Sequence, residues 1–368
     1  MAGAQTQLAT AAHSGPVQAG AEGLRVRQLQ DDDGARWDAF VASCPQATFF
    51  HRAGWAQVIR QAFGHETLFL MAERDGEIEG VLPLARIRSW LFGHSLISLP
   101  FCVYGGIAAR SAPAAQALDS FAREQASALG VDHLEYRHRD RQFHPEWPGK
   151  DLYATFRKVL EPDPEANLQA IPRKQRRMVR QGIKAELRSD WSDDQAGLDA
   201  FFDLYARSVH RLGTPVFPRR YFMLLREVFG DDCRVLTVSS AAGEPVSGVL
   251  TFFFRDEVLP YYGGGAEAAR RLAGYDFLYW ELMRRSCAAG YRMFDFGRSK
   301  RDTGAYHFKR NWGFEPQTLA YEYGLFRASA VPDHNPLNPR YQRAIRMWQR
   351  LPLPLANFLG PWVVRNLG

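Results

Sequence analysis

The stretch "DGEIEGVLPLARI", residues 75–87, is a charged turn followed by Gly-Val-Leu and an apolar run. The chain writes it again as "AGEPVSGVLTFFF", residues 242–254. Two more pairs follow in the same order. "FCVYGG" (101–106) matches "LPYYGG" (259–264), and "GVDHLEYR" (130–137) matches "GYRMFDFG" (290–297), with Leu134 on Phe294, Glu135 on Asp295 and Tyr136 on Phe296. Each copy therefore reads as hairpin, glycine break, helix and strand, the strands rich in Val, Leu, Phe and Tyr and bounded by Gly or Asp turns. A repeat of roughly 160 residues is far longer than a solenoid unit, so it is a duplicated domain.

The reading is an α/β chain of the α+β type, with two tandem domains, each a mixed sheet flanked by helices. The copies run over 24–160 and 161–330, joined at the Pro- and acid-rich "LEPDPEAN" (160–167). Within the second copy Phe277, Trp280, Leu282, Met283 and Cys287 gather on one side of a 3.6-residue period, with Arg284 and Arg285 outside. Asp276 reads as its N-cap and Gly290 as the residue just past its end. Residues 1–23 lack a basic start followed by an apolar stretch and read as a disordered leader; 331–368 form a tail.

A chain of 368 residues, 46% hydrophobic and 13% aromatic, is a folded protein long enough for two cores. Cys44, Cys102, Cys233 and Cys287 have no metal-ligand spacing, so neither a zinc site nor a disulfide framework is read. No stretch approaches the ~20 apolar residues of a membrane span, and a cytoplasmic protein is expected. His138-Arg139-Asp140 and Asp295-Phe296-Gly297 imitate kinase motifs but lack the glycine loop and strand lysine of a kinase.

Charge is concentrated in "IPRKQRRMVRQGIKAELR" (171–188), whose net +6 equals that of the whole chain. Ile171, Gln175, Met178, Val179 and Gly182 form a packing stripe, and Pro172 suits the first turn. Arg173, Lys174, Arg177 and Arg180 then line a basic face. It is either a solvated surface or a contact to phosphates of a nucleotide-linked substrate or an RNA.

"TGAYHFKRNWGFEP" (303–316) places Lys309 among four aromatics. Arg310 breaks a strand alternation, whereas Ala305, Phe308 and Trp312 share a helical face and Gly313 fits a left-handed helix end. The expectation is a short helix over 304–311, then a strand through "TLAYEYGLF". Lys309 lies at the border of the buried stripe: either its ammonium emerges beside a cleft, or its stem lies along apolar surface.

The duplication, the "IPRKQRRMVRQG" helix and the "GAYHFKRNWGF" run together resemble the FemAB-like aminoacyltransferases, which are built from two GNAT-type domains. The resemblance covers about 24–330. "FDFGRSKRDTGAYHFKRNWGFEP" and "FHRAGWAQVIRQAFGHE" (50–66) look like the subgroup found with exosortase/PEP-CTERM and exopolysaccharide loci. It implies an N-acyltransferase in which an amine attacks an activated acyl ester or thioester. Lys309, matching the family lysine, would stabilise the developing oxyanion. A general base is needed: Asp295 is the candidate, or else a turn residue. Tyr306, Arg298 and Tyr262 are further cleft candidates.

No cofactor is read. The donor is aminoacyl-tRNA or acyl-CoA. CoA-using GNAT proteins hold pyrophosphate at a helix N-terminus with an R/Q-x-x-G-x-G/A loop. Here Asp276 replaces the small residue of "RLAGYD" (271–276), and "RSAPAA" (110–115) has Pro for Gly, which disfavours CoA. The expected partners are an anionic nucleotide-linked or lipid-linked acceptor and aminoacyl-tRNA. In the tail, Tyr341, Ile345, Trp348 and Leu351 form an apolar stripe opposite arginines: a helix docked on the protein or lying peripherally on a membrane. Pro352, Pro354 and Pro361 exclude one continuous helix. Two other functions stay open: a non-catalytic double-domain module binding RNA or a nucleotide-linked ligand, and a CoA-dependent acetyltransferase.

Overall fold

The computed structural model describes residues 18–19, 23–89, 93–140, 142–332 and 339–367. The chain opens with β1 (Gln18–Ala19), β2 (Arg25–Gln28), α1 (Gly34–Ser43), α2 (Gly54–Phe63), β3 (Glu66–Arg74), β4 (Glu77–Ser89), β5 (Gly93–Ser98), β6 (Ala108–Ala109), α3 (Ala112–Leu129) and β7 (His133–His138). These strands lie in the order β1-β2-β3-β4-β5-β7, with β6 beside β4. Neighbours are antiparallel except β5 and β7. Of the expected leader, Gln18 and Ala19 pair with Val26 and Arg25; most of the rest lies outside the described residues.

β8 (Tyr153–Val159) departs from this sheet. After α4 (Pro164–Ala170) and α5 (Arg173–Lys184) come β9 (Arg188–Trp191), α6 (Gln195–Arg211), α7 (Arg219–Phe229), β10 (Cys233–Ser239), β11 (Pro245–Phe254), β12 (Glu257–Gly265), α8 (Ala268–Arg271), α9 (Gly274–Ala288), β13 (Met293–Asp295), β14 (Ser299–Lys300), α10 (Gly304–Asn311) and β15 (Pro316–Thr318). The second sheet runs β14-β8-β13-β12-β11-β10-β9, with β15 also on β8. Only then does β16 (Ala320–Leu325) return to pair with β7 of the first sheet.

The copies thus exchange a strand. β8 precedes the expected boundary at 160 yet pairs Lys158 with Phe294, while β16, inside the expected second copy, pairs Gly324 with Leu134. The sheets divide at neither end where the sequence repeat does, because β-pairing is chosen by long-range packing. The repeat itself is structural at its last element. Leu134 pairs in parallel with Leu96, and Phe294 in parallel with Val258. The "FCVYGG" match is a correction: 259–264 lie within β12, but 101–106 form the loop after β5.

A single aromatic core joins the halves. Phe49 stacks on Phe252 at 4.4 Å, and Trp55 meets Phe229 at 5.2 Å where α2 crosses α7. Two further cores lie outside it, one under α3 with Leu118, Phe121 and Leu134, the other under α9 with Leu278, Leu282, Phe294 and Trp312.

The tail forms α11 (Pro339–Arg350) and α12 (Leu353–Val364), both packed on α6. Of the expected stripe, Ile345 is half-buried against Gly213 and Trp348 is half-buried, so that side of α11 docks on the protein. Pro352 separates the helices, Pro354 sits in the first turn of α12, and Pro361 lies inside it.

Candidate active site

β12 and β13 pair in parallel only at Glu257 with Met293 and Val258 with Phe294. Beyond that point they part. On its other side β12 pairs Tyr262 with Leu250 and Pro260 with Thr251, so Tyr261 is the extra residue of a bulge. A bulge takes its residue out of the ladder and bends the strand, a device found beside active sites. Into the gap opens a cavity of about 420 Å³. Phe101, Phe217, Tyr261, Tyr262, Tyr279 and Phe296 give its wall a large aromatic part, and Arg298 and Lys309 supply its positive charge.

α10 delivers Lys309. It spans Gly304–Asn311, as expected from its sequence, and Thr303 caps it by accepting from the Tyr306 N–H at 3.4 Å. Gly313 closes it at φ +79°, a left-handed conformation that a Cβ disfavours. Lys309 is half-buried. Nζ donates to the carbonyl oxygens of Phe296 at 2.7 Å, Gly297 at 2.9 Å and Arg298 at 3.2 Å. These carbonyls belong to the segment that has just left the sheet. The rings of Phe156 and Phe296 lie 5.4 and 5.9 Å from Nζ. Burial pulls the Lys309 pKa down to about 7, with Asp295 opposing and Arg298 reinforcing the shift. The aromatic surround therefore leaves the cation titratable near neutrality, and the three carbonyls occupy all three N–H donors of the ammonium.

Asp295 is fully buried. Its carboxylate accepts from Tyr104 Oη at 3.0 Å, from Thr155 Oγ1 at 3.3 Å and from the Gly297 N–H at 2.7 Å, and pairs with Arg157 Nε at 3.2 Å. It is absent from the cavity wall, so its geometry is that of a group that positions 295–297 rather than a free base. Tyr306 also stays off the wall: it is buried, edge-on to Phe156 at 5.3 Å, although its helix neighbours Ala305 and Lys309 line the cavity. Arg298 is on the wall, its guanidinium 4.6 Å from the Tyr153 ring centre and 3.2 Å from Tyr321 Oη. Tyr262 is there too, its hydroxyl 2.9 Å from that of Tyr221.

Arg173, Lys174, Arg177 and Arg180 are exposed on α5, away from this wall. Gln175, Val179 and Gly182 form the buried edge, and a Cβ on Gly182 would meet Phe277 at 2.7 Å. Asp276 is corrected. It is no N-cap, for Ala273 holds that place with φ +57°. It is buried in the first turn of α9, where Oδ1 accepts from Gln175 Nε2 at 2.7 Å and Trp312 Nε1 at 3.1 Å. Burial raises its pKa while these donors oppose the shift. The carboxylate is turned into the core and bonded there, not pointed at the α9 N-terminus. Trp312 of the lysine motif and Gln175 of the basic helix therefore meet on one buried oxygen.

The first copy has a cavity of about 350 Å³ at the N-terminus of α3, lined by Arg110, Ser111, His138 and Arg139, and a much smaller one of about 80 Å³ beside β5 and β7, lined by Ile97, Glu135 and Arg137 and also by Arg298. β5 and β7 also part after Ile97 and Glu135, and the loop after β5 is bonded to the end of β7, which narrows the gap. Arg137, fully buried where the second copy has Gly297, donates to Glu135 at 2.7 Å and to the Cys102 carbonyl at 2.9 Å. Its own carbonyl accepts from the N–H groups of Gly105 and Gly106. The loop reaches across, since Phe101 and Val103 help line the second copy's cavity. The Tyr261 bulge, Tyr104, Arg157 and the helix-end residues Val364 and Leu367, also on the cavity wall, escaped the sequence reading. The sole signal for the bulge was a tyrosine pair followed by glycines.

No curated protein matches the chain by sequence. Among solved structures, FemX superposes with a TM-score of 0.66 at 16% identity over 87% of this chain and 99% of FemX. L-PGS from Bacillus licheniformis superposes at 0.55 and 12% identity, over 87% of this chain and 97% of that one. At such identities the likeness is one of fold. Residues 168–310 match the family model described as an acetyltransferase (GNAT) domain, and the two sheets with their flanking helices form tandem GNAT-like domains.

Proposed function

We propose that the protein is an N-acyltransferase of the FemAB-like type, with one reaction site, the cavity between β12 and β13. The observation that carries this reading is that Lys309, its ammonium bound to three backbone carbonyls, lines the same partly aromatic cavity as the Tyr261 strand bulge. An amine attacks the acyl carbonyl of an ester or thioester donor, a C–N bond forms and the carbonyl oxygen becomes anionic. Collapse breaks the C–O or C–S bond, and the leaving oxygen or sulfur departs with a proton. The charge of Lys309 and the backbone N–H groups at the Tyr261 bulge stabilise the oxyanion, an interaction strengthened where water is excluded. Lys309 reaches it by exchanging one of its three carbonyl partners. Asp295 positions the 295–297 turn, and Arg298 holds an anionic part of the substrate.

The donor in this reading is aminoacyl-tRNA, its phosphates drawn by Arg173, Lys174, Arg177 and Arg180. The acceptor is an amine on a nucleotide-linked or lipid-linked precursor of envelope or exopolysaccharide assembly, in keeping with the subgroup that the motifs resemble. The test is transfer from labelled aminoacyl-tRNAs and acyl-CoAs to amine acceptors by wild type and Lys309→Ala. Loss of about 10²-fold or more in the folded variant is expected, the magnitude of removing one oxyanion donor. Unaltered transfer overturns the role of Lys309.

The inward turn of Asp276, bonded to Gln175 and Trp312, lessens the charge conflict at the α9 N-terminus and keeps a second reading, an acetyl-CoA-dependent enzyme. Calorimetric binding of acetyl-CoA in the micromolar range would select it.

A further inference from the structure

Ile345 and Trp348 of the expected apolar stripe are half-buried, the side chain of Tyr341 lying outside the described residues, but α12 presents a different stripe. Its twelve residues contain a single polar side chain, Asn357. Ala356 and Val364 are buried, and Gly360 packs on Val216. On the opposite face Leu355, Phe358 and Trp362, at i, i+3 and i+7, are 42, 70 and 63% exposed. A helix apolar all round calls for apolar surroundings on every side, and the protein covers only one. The helix is far shorter than the ~20 residues of a span, and no described helix is long and apolar enough to cross a membrane.

Charge identifies the occupant. α11, packed beside α12 on α6, exposes Arg343, Arg346 and Arg350 around Met347. Residues 334–368 contain no Asp or Glu. Exposed Phe and Trp next to unopposed arginines are the features of a helix lying in a lipid interface, the rings in the headgroup boundary and the cations on anionic lipid. We propose that the outer faces of α11 and α12 dock on an anionic bilayer surface. The last turn of α12 is fixed to the body by His65, whose Nε2 lies 2.8 Å from the Arg365 carbonyl oxygen. Val364 and Leu367 line the cavity that holds Lys309. Docking therefore sets that cavity beside the bilayer.

Vesicle flotation tests the proposal without any assay of transfer. Wild type is expected to float with phosphatidylcholine–phosphatidylglycerol vesicles, weakly with phosphatidylcholine alone, and less as salt rises. Phe358→Ser/Trp362→Ser, at exposed positions, is expected to keep the wild-type circular dichroism and lose at least tenfold in partitioning. Arg343→Gln/Arg346→Gln/Arg350→Gln is expected to remove the preference for anionic lipid. Wild type that stays off anionic vesicles at low salt overturns the proposal, as does equal flotation of the double variant. So does a wild-type dimer that the double variant dissociates, for the face would then be covered by a second copy.

Discussion

Tyr104 of the first copy donates its hydroxyl to Asp295 of the second at 3.0 Å, and Thr155 on the exchanged strand lies 2.7 Å from the same hydroxyl. Three distant segments meet on one buried carboxylate, which also holds the turn whose carbonyls bind Lys309.

This makes Asp295 and Tyr104 separable by mutation. Asp295→Ala leaves Tyr104, Thr155 and the Gly297 N–H without their buried acceptor, while Arg157 keeps Glu257; a loss of about 1–3 kcal/mol for each donor left unsatisfied is expected in urea unfolding. Tyr104→Phe removes one bond to a charged acceptor, about 1.5–3 kcal/mol. If Asp295 were the base and no more, Asp295→Ala would abolish transfer and leave stability near wild type.

Lys309 ties stability and activity to pH. Its pKa is about 7 in the folded chain against 10.5 when unperturbed. Between those values the unfolded chain keeps a proton that the folded chain has released. The contribution to stability is therefore fully present above 10.5 and lost as pH falls to about 7. Lys309→Met is expected to flatten this rise, read as unfolding midpoints across alkaline pH. If the charged form stabilises the oxyanion, wild-type kcat/KM falls as pH rises through about 7.

The basic face of α5 is exposed and its opposite edge is packed, so its charges are removable without unfolding. Arg173→Gln/Arg177→Gln/Arg180→Gln is expected to raise KM for a tRNA-linked donor about tenfold and to flatten its salt dependence, with kcat unchanged. Equal KM at low salt assigns the face to solvent.

Asp276 joins the two motifs inside the core. Asp276→Ala leaves Gln175 and Trp312 without their acceptor, and a loss of about 1–3 kcal/mol is expected in thermal or urea unfolding. Wild-type stability in this variant would show that the buried donors find other partners.

The local elements of the site were legible in sequence. The helix 304–311 with its Gly313 end, the strand after it, and the Gln175–Val179–Gly182 stripe each follow from side-chain period and chain-ending chemistry within a few residues. Asp276 was misread for the same reason. Near a helix start an Asp resembles a cap, and only the approach of Gln175 and Trp312 turns it inward.

By itself the sequence determined that the domain is duplicated and that the runs around Gln175, Phe277 and Phe308 are helical, because periodicity and caps act over one or two turns. Tertiary structure alone decided that β8 and β16 change sheets, that Arg137 and its loop narrow the β5–β7 gap while the β12–β13 gap opens on a larger cavity, and that Lys309 meets three carbonyls. Each depends on contacts between residues far apart in the chain, where burial and hydrogen-bond satisfaction choose the partner and no local pattern encodes it.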